Sequence, residues 1–371
     1  MVNMLHSFLQ LLFAVTLATL PFKILNAADF NGLGIPPYTD RPVDSRYAEA
    51  RIALGKRLFF DSSLSADGRV SCASCHRPDK AFSDGESLAR GAGGKTGTRN
   101  TPSLFNVAYA TSLFWDGRRT RLEDQVLDPF VNPVEHGLAD RGELLGRLTA
   151  DKSYGRAFAD SFGPGSPTIT AERIGAALAA YLRSLRAGNT PFDRHVYGAD
   201  TDALSPEAQR GLGLFRSRAG CAECHLIGKE HALLTDGKFH SIGVGMETIR
   251  GRLSELTARA VAAPRPLDHV VLQDPELAQL GRFLVTHDPR DIGKFKTPSL
   301  RNVALTAPYM HDGSVATLEE AVEREIYYRG LTSGRPVVLT PDEKRELVSF
   351  LRSLTSRHLM EATRNEQMSR P

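Results

Sequence analysis

The stretch Cys72-Ala73-Ser74-Cys75-His76 decides how the rest of the chain is interpreted. Two cysteines three positions apart, with a histidine directly after the second, form the attachment motif of a c-type haem. Both sulfurs can bond to the haem, and the histidine can reach the iron as an axial ligand. The pattern returns at Cys221-Ala222-Glu223-Cys224-His225, and the two copies contain all 4 cysteines of the chain. The sequence therefore predicts two covalently attached haems, with His76 and His225 as iron ligands.

A zinc site and a redox dithiol are the competing interpretations of each motif. Zinc needs four ligands brought together, and a thioredoxin-like dithiol belongs in a strand-helix setting. Two complete copies of the motif behind an export signal favour haem over both.

Residues 1–28 are predicted to be a signal peptide. The apolar run from Phe8 to Leu20 is too short to span a bilayer, and the segment ends in the small residues Ala27-Ala28. No Lys or Arg precedes the run, so a retained membrane anchor stays open as an alternative. Export together with c-type haem predicts a periplasmic protein, and no later stretch is long and apolar enough to cross a membrane.

The charge balance argues against a nucleic-acid partner. The 371 residues include 46 basic and 43 acidic side chains, a formal net charge of +3. A nucleic-acid surface would call for a stronger basic bias. About 343 residues remain after the signal, enough for two ordinary domains.

An internal repeat runs through the chain at a constant offset of 196 residues. Thr101-Pro-Ser-Leu-Phe-Asn-Val-Ala matches Thr297-Pro-Ser-Leu-Arg-Asn-Val-Ala, and the match continues without a gap to Val126 and Val322. Twelve of these 26 positions are identical. The sequence therefore predicts two tandem cytochrome c-like haem domains related by internal duplication, residues 29–198 and 199–371.

The apolar spacing predicts a mainly α fold. A helix is expected from Ser45 to about Phe60, ahead of the first haem motif. Each half also closes with a similar helix, around Leu178–Leu185 and Leu347–Leu354. Thr340-Pro341 with Glu343 supplies the second closing helix with a capping box and a proline in its first turn.

The two halves differ where the first has the chain's single tryptophan, Trp115, and the second has His311. A buried tryptophan is by default a packing residue. Its correspondence to a histidine in a redox protein suggests instead an aromatic stepping stone between the haems.

From about Ala48 to Leu354, the chain resembles the bacterial dihaem cytochrome c peroxidase family, including its MauG-like branch. The resemblance rests on Phe114-Trp115-Asp116-Gly117-Arg118, on Leu233 through Gly243 and on Lys296 through Gly313. It implies that the first haem splits hydrogen peroxide and that the second receives and relays electrons. A tryptophan and a calcium ion lie between the haems in that family.

The resemblance also implies roles for individual residues. The inter-haem tryptophan falls on Trp115, and the peroxide-pocket glutamine, proline and glutamate fall on Gln125, Pro129 and Glu135. Splitting peroxide needs a group that takes up and returns a proton, and a carboxylate whose pKa is raised by burial can do both. Gln125 can position the peroxide by hydrogen bonding. Without the resemblance, Gln125 and Glu135 would pass for a helix and a loop residue exposed to solvent.

The calcium ligands implied by the resemblance are the Asn100 side chain and the backbone carbonyls of Thr306 and Pro308. Calcium takes oxygen ligands of these two kinds.

The first departure from the family concerns the far side of the first haem. Typical members carry a histidine there that blocks the iron, but no His or Met occurs between Arg77 and Glu135. Unless Lys80, Lys95 or His136 intrudes, the first haem is expected to be five-coordinate or water-bound, which is the MauG-like condition.

The second departure concerns the far ligand of the second haem, which is Met or Tyr in the family. Counting without gaps from Thr306 lands on Glu325, whereas counting back from Arg329-Gly330 lands on Tyr327. We expect Tyr327, with Glu325 as the alternative and Met310 as a weaker one. An anionic ligand of either kind would lower the haem potential relative to methionine.

Three functions are open at this point. One is MauG-like or MbnH-like oxidation of a partner protein, and another is a detoxifying peroxidase fed by a small electron-donor protein. The third is a dihaem electron carrier without catalysis. The open first haem favours the first of these. However, MauG uses a tryptophan just before its second haem motif, where this chain has Ala219-Gly220.

Two further segments are assigned no chemistry. The Gly-rich stretch Arg90–Lys95 lacks the ending of a phosphate-binding loop and is expected to be a flexible loop over the haem. Residues 247–280 are expected to form a solvated excursion of the second domain.

Overall fold

The computed structural model describes residues 32–38, 45–163, 169–263, 273–334 and 336–356. The predicted signal peptide lies outside them. The α-helices of the described residues are α1 (Ala48–Phe60), α2 (Cys72–Cys75), α3 (Leu122–Gln125), α4 (Asp128–Val131), α5 (Arg141–Ala150), α6 (Lys152–Phe162), α7 (Ala171–Ser184), α8 (Pro191–Tyr197), α9 (Pro206–Arg216), α10 (Met246–Ile249), α11 (Leu253–Ala262), α12 (Pro275–Ala278), α13 (Phe283–Thr286), α14 (Leu318–Ser333) and α15 (Pro341–Arg352). The protein is therefore mainly helical, as predicted.

The strand content of the described residues is one short antiparallel pair, β1 (Phe239–His240) and β2 (Phe295–Lys296). Phe239 pairs with Lys296, and His240 pairs with Phe295. The pair joins the segment after the second haem motif to the start of the second repeat.

Helix ends follow local side-chain signals. The predicted helix before the first haem motif is confirmed: a 3₁₀ turn, Ser45–Tyr47, leads into α1. The predicted capping box of α15 is also confirmed, because Thr340 accepts from the backbone of Glu343 and Glu343 accepts from the backbone of Thr340. Such reciprocal bonds satisfy N–H groups that the first helical turn leaves without partners.

A glycine allows the two principal helices of each half to approach closely. In the first half, α1 packs on α7, and a Cβ on Gly55 would lie 1.9 Å from the Ala177 carbonyl oxygen. In the second half, α9 packs on α15, and a Cβ on Gly211 would lie 1.9 Å from the Glu346 carbonyl oxygen. Only glycine fits at either contact, so the two halves share one mode of helix packing.

The loops after the haem motifs also have the same local geometry in both halves. Asn106 and Asn302 both adopt φ +61°, and their backbone N–H groups donate to Leu185 and Leu354. Isolated antiparallel bridges join Leu113 to Arg119 and Tyr309 to Val315. The two asparagines are separated by 196 residues, which is the offset of the sequence repeat. The same offset relates Leu113 to Tyr309 and Arg119 to Val315.

The described parts of residues 247–280 do not form the solvated excursion that the sequence suggested. Buried residues from α10 to α13 form a small third core cluster: Ile249, Leu256, Ala260, Leu277, Leu280, Phe283 and Leu284. The expectation was wrong because the apolar residues of this segment are spread over several short helices, whose mutual packing is a tertiary property.

One buried ion pair connects distant segments of the chain. The Arg301 guanidinium lies 2.8 Å from Asp193, with 1% and 0% of the side chains exposed. Arg301 also donates to the carbonyl oxygens of Gly34 and Ala232. A buried ion pair is stable only when its remaining hydrogen-bonding groups are satisfied, and here they hold the N-terminal lead-in against the second half.

None of the described helices is long and apolar enough to span a bilayer. This finding does not extend to the predicted signal.

Candidate haem and peroxide site

Both haem motifs open onto one continuous cavity of about 650 Å³. Its walls include all six motif residues to which haem attachment was assigned: Cys72, Cys75, His76, Cys221, Cys224 and His225. The cavity is lined mainly by apolar groups, as cofactor pockets are.

The two motif histidines are oriented as iron ligands should be. Nδ1 of His76 lies 2.9 Å from the Phe82 carbonyl oxygen, and Nδ1 of His225 lies 2.9 Å from the Leu234 carbonyl oxygen. A carbonyl oxygen only accepts, so Nδ1 carries the proton in each ring and Nε2 keeps its lone pair for a metal. Burial lowers the pKa of both histidines, which favours the neutral form that binds iron.

The cysteines fit haem attachment better than zinc binding or dithiol chemistry. Burial raises the pKa of Cys72, Cys75 and Cys221 to about 12, whereas a redox dithiol requires a cysteine that is a thiolate near neutral pH. In the described residues, the one three-membered group of His, Cys, Asp or Glu side chains that could hold a metal is Cys224, Asp236 and His240. It includes a cysteine that the haem motif already uses.

A buried cation in the cavity wall also fits a haem. Arg99 is 7% exposed, donates to the Ala278 carbonyl oxygen through Nη2, and stacks on the Phe295 ring 4.8 Å away. Its Nε and Nη1 are buried without a hydrogen-bond partner. Leaving such donors unsatisfied is costly, and a haem propionate would satisfy them.

Gln125, Pro129 and Glu135 all line the cavity. Gln125 ends α3, Pro129 lies in the first turn of α4, and Glu135 follows in a turn whose N–H donates to the Asn132 carbonyl oxygen. The charge of Glu135 contributes to the raised pKa of Cys75, after burial. The three residues therefore share one cavity with the haem motifs, and Glu135 lies near the first motif.

The Gly-rich stretch has a positioning role that the sequence did not reveal. Ala92 N–H donates to the Glu135 carbonyl oxygen at 2.7 Å. A Cβ on Gly91 would lie 2.1 Å from the Val134 carbonyl oxygen and 2.4 Å from that of Glu135. The loop therefore packs directly on the backbone that carries the Glu135 carboxylate.

Of the side chains that could block the first iron, His136 alone lines the cavity, whereas Lys80 and Lys95 do not. Lys95 Nζ donates to the Pro133 carbonyl oxygen at 3.1 Å. Nε2 of His136 lies 3.9 Å from Cys72 Sγ, and its buried Nδ1 has no hydrogen-bond partner. Burial lowers the pKa of His136 to about 4, so the ring is neutral near pH 7.

Trp115 lines the cavity that both motifs share. Its indole N–H donates to the Asn100 carbonyl oxygen at 2.9 Å, and its own carbonyl oxygen accepts from the Lys296 N–H at 2.8 Å. Trp115 is thereby tied to segments of both halves.

The residues expected to bind calcium, Asn100, Thr306 and Pro308, also line the cavity. The Asn100 amide donates from Nδ2 to the Glu86 carbonyl oxygen at 3.0 Å, which leaves its Oδ1 available as an acceptor. An acceptor-only oxygen is the kind of ligand that calcium prefers.

The structure separates the two possible far ligands of the second haem. Tyr327 is 63% exposed and does not line the cavity, whereas Glu325 and Met310 do. The preference for Tyr327 over Glu325 is therefore not supported by the placement of the two side chains. Positions two apart on a helix point in nearly opposite directions, so α14 presents Glu325 and turns Tyr327 outward.

Two residues next to the third core cluster, Gln279 and Arg282, contact His311 and the backbone after Trp115, and neither was predicted from the sequence. His311 donates from Nε2 to Gln279 Oε1 at 2.6 Å, and Arg282 Nη1 donates to the carbonyl oxygens of Asp116 and Gly117 at 2.9 Å. Gln279 and Arg282 belong to no motif, so nothing in the sequence alone marks them.

A family model described as "Di-haem cytochrome c peroxidase" matches residues 49–201. Over 337 residues the chain is 36% identical to "Cytochrome-c peroxidase IdrP1" of Denitromonas iodatirespirans, covering 88% of this chain and 87% of that protein. The chain belongs to the di-haem cytochrome c peroxidase family. Membership implies two c-type haems and a peroxide-acting oxidoreductase, in agreement with the two motifs.

Relatives in the MauG branch are similar to a comparable extent. The "Methylamine utilization protein MauG" of Methylorubrum extorquens is 34% identical over 328 residues, covering 86% of this chain and 82% of that protein. A solved structure titled "MauG-like protein associated with microbial copper homeostasis" superimposes with a TM-score of 0.72 at 35% identity, covering 88% of this chain and 95% of that one. The family therefore includes relatives of both names at similar distances from this chain.

Proposed function

We propose that this di-haem peroxidase reduces hydrogen peroxide at the haem of residues 29–198 and shares the oxidising equivalents with the haem of residues 199–371. Its final target would be a side chain of a partner protein, as in the MauG-like and MbnH-like branch. The signal of residues 1–28 would direct the chain to the periplasm. The shared helix packing and the repeated loop geometry support two haem domains related by duplication.

The observation that carries the proposal is the difference between the two far sides. The first half places Pro129 in the cavity wall, and the position 196 residues later holds Glu325. Proline has no side-chain atom that can bind a metal, so Pro129 cannot serve as a ligand of the first iron. A carboxylate can bind iron. A first iron without a far-side protein ligand would be able to bind peroxide. A second iron with such a ligand would be suited to storing oxidising equivalents.

When bound, the haem irons supply the site for peroxide and hold its oxidising equivalents. Glu135 would take a proton from the near peroxide oxygen and return it to the departing one, which leaves as water. Gln125 would orient the peroxide by donating a hydrogen bond from its amide. The packed Gly91 loop keeps the Glu135 backbone in place during both transfers.

Trp115 would carry charge between the two halves. Its hydrogen bond to the Asn100 carbonyl oxygen fixes the indole ring in the cavity wall. A calcium ion held by Asn100, Thr306 and Pro308 would stabilise the same region, because Asn100 belongs to both arrangements.

A detoxifying peroxidase fed by a small electron donor is the second candidate. It is favoured by the cytochrome-c peroxidase relatives, which are as similar to the chain as the MauG relatives are. Ala219-Gly220 at the site of the MauG tryptophan argues against the MauG substrate itself. An MbnH-like partner oxidation is compatible with both facts.

Rapid mixing of the oxidised holoprotein with peroxide tests the proposal. We expect a high-spin ferric signal from the first haem at rest and a fast spectral change on mixing. A resting spectrum with low-spin haem alone would contradict the open site. Two six-coordinate haems without a peroxide reaction would show the third candidate, a non-catalytic electron carrier.

The Glu135→Gln variant tests the proton transfer. The amide cannot act as a base, so the reaction with peroxide should slow by about 10²- to 10⁴-fold while both haems stay attached. Glu230→Gln, a change at an exposed site, is the matched control and should react like the wild type. An unchanged rate in Glu135→Gln would remove Glu135 from the mechanism.

Analysis of the reaction products distinguishes oxidation of a partner protein from a peroxidase that is fed by a small electron donor. Peroxide is added with the protein encoded beside this chain, or with a reduced small cytochrome. Oxidised side chains in the neighbouring protein, measured by mass spectrometry, would support partner oxidation. Multiple turnovers with the cytochrome, without such products, would support detoxification.

A further inference from the structure

We propose that the carboxylate of Glu325, rather than a tyrosine or methionine, is the far-side iron ligand of the second haem. The inference rests on the proposed function in one respect, the presence of a haem held by His225. It assigns an iron ligand to a residue type that differs from the family pattern.

The face that α14 presents to the cavity supports this assignment. Six of its residues line the cavity at helical spacing: Leu318, Ala321, Val322, Glu325, Ile326 and Arg329. Positions three and four apart share one face of a helix. Glu325 is the one member of this stripe with an acceptor oxygen in its side chain, and it lies in the middle of the stripe.

The helix register excludes Tyr327 from the same role. Thr317 caps α14 by accepting from the Glu320 N–H, and α14 continues without a break to Ser333. Tyr327 therefore lies on the outer face, where 63% of it is exposed and its ring packs edge-on against Tyr328. Bringing its phenol to the cavity would require unwinding the helix around it.

The repeat supports the same position independently. Val126 and Val322 correspond at the offset of 196 residues, and both are buried. Three residues further along, the first half has Pro129 and the second has Glu325, and both line the cavity. The same place in the fold thus holds a residue without a donor atom over the first haem and a carboxylate over the second.

Glu325 lines the cavity without a polar protein partner of its own in the described part of the chain. Among the described residues, its carboxylate accepts no hydrogen bond and forms no ion pair. Arg329, one turn away, is held by the Gly220 carbonyl oxygen at 2.6 Å and by Glu223 at 2.8 Å. A half-buried carboxylate without a partner is costly, and an iron ion would supply the missing partner.

Met310 is the remaining competitor. It lines the cavity, but it lies in the turn before His311 with φ +72°, outside α14. Its counterpart at the repeat offset is Phe114, with φ +64°, so the backbone conformation belongs to the repeated turn and does not depend on a methionine.

The test compares full-length holoprotein of the wild type with Glu325→Gln, Glu325→Met and Tyr327→Phe. Intact mass gives the number of attached haems, and near-infrared absorption, electron paramagnetic resonance and redox titration report the iron ligands. In Glu325→Gln the ferric signal of the second haem should change and its reduction potential should rise, because an anionic ligand is lost. Glu325→Met should gain the near-infrared band of sulfur-bound ferric haem. Tyr327→Phe should match the wild type.

Three results would overturn the assignment. They are a wild-type near-infrared sulfur band, an altered second haem in Tyr327→Phe, and wild-type spectra and potential in Glu325→Gln with both haems attached. Failure of the proposed function is a separate observation, namely wild-type protein without two attached haems or without a reaction with peroxide. If Glu325→Gln folds poorly, the gain of the sulfur band in Glu325→Met still decides the question.

Discussion

The indole N–H of Trp115 donates to the backbone carbonyl oxygen of Asn100 across 2.9 Å. The backbone N–H of Asn100 donates in turn to the backbone carbonyl oxygen of His311. Trp115 and His311 correspond at the repeat offset, so Asn100 connects the two positions at which the halves differ in chemistry. The same asparagine is expected to bind calcium. Under the proposed function, charge transfer between the halves and binding of the calcium ion would both depend on the region around Asn100.

Replacing Trp115 with phenylalanine should slow charge sharing between the haems without loss of either haem. Phenylalanine is harder to oxidise and lacks the N–H that donates to Asn100. The change is measured by following the spectra of both haems after peroxide addition. Equal rates in the variant and the wild type, at equal haem content, would exclude Trp115 as the relay.

Replacing Gly91 with alanine should impair the peroxide reaction through Glu135. The added Cβ would lie 2.1 Å from the Val134 carbonyl oxygen, so the turn that carries Glu135 must move. A displacement of about 1 Å can cost about 10²-fold in rate. Stopped-flow rates with peroxide, together with haem content, measure the effect.

Gly146→Ala is the control for the Gly91 variant. Gly146 lies in α5, and a Cβ there would meet nothing within 4 Å. Alanine favours a helix, so the variant should keep its rate and gain up to about 1 kcal/mol of stability. A Gly91→Ala protein that reacts as fast as Gly146→Ala would show that the loop does not position Glu135.

Replacing Arg301 with methionine should destabilise the fold strongly. The variant leaves the Asp193 carboxylate buried and unpaired, which costs about 3–5 kcal/mol. Chemical denaturation at neutral pH measures the change in the unfolding midpoint. Arg290→Met, which removes an exposed partner of Asp288, should change stability by less than about 1 kcal/mol. Similar midpoints for the two variants would contradict the structural importance of the buried pair.

Acidification should destabilise the protein partly through His311. Burial and the neighbouring charge of Arg99 hold the pKa of His311 well below its usual value of 6.5. The unfolded chain therefore binds the proton first as the pH falls through 6.5, and stability drops by up to about 1.4 kcal/mol per pH unit from there downward. Above pH 6.5 this contribution is constant.

Unfolding of the wild type and His311→Gln at pH 7.5 and pH 5.5 measures this effect. The loss of stability between the two values should be smaller in the variant, because glutamine does not titrate. Equal losses in both proteins would assign the pH dependence to other groups.

The local features of the site could be predicted from the sequence. The haem motifs, the helix before the first motif and the capping box of α15 each depend on neighbouring residues, so a short stretch contains all the information. The loops that share backbone geometry in the two halves lie at the 196-residue offset of the sequence repeat. Trp115 lines the cavity, and its role as a relay between the haems stays a prediction.

Two outcomes depended on contacts between distant segments. The described residues between 246 and 286 contain a small core, and within this stretch Gln279 contacts His311 while Arg282 contacts the backbone after Trp115, although neither residue belongs to a motif. The Gly91 loop acts on Glu135 through backbone atoms, which leave no pattern in side-chain types.

The sequence by itself determined the two haem motifs with their histidines and the mainly helical character, because these follow from residue types and their spacing along the chain. Counting along it placed Glu325 or Tyr327 at the second haem, depending on the end from which the count began. Only the tertiary structure decided which of them meets the cavity. An unbroken helix anchored at Thr317 turns one side chain inward and the other, two residues later, toward solvent.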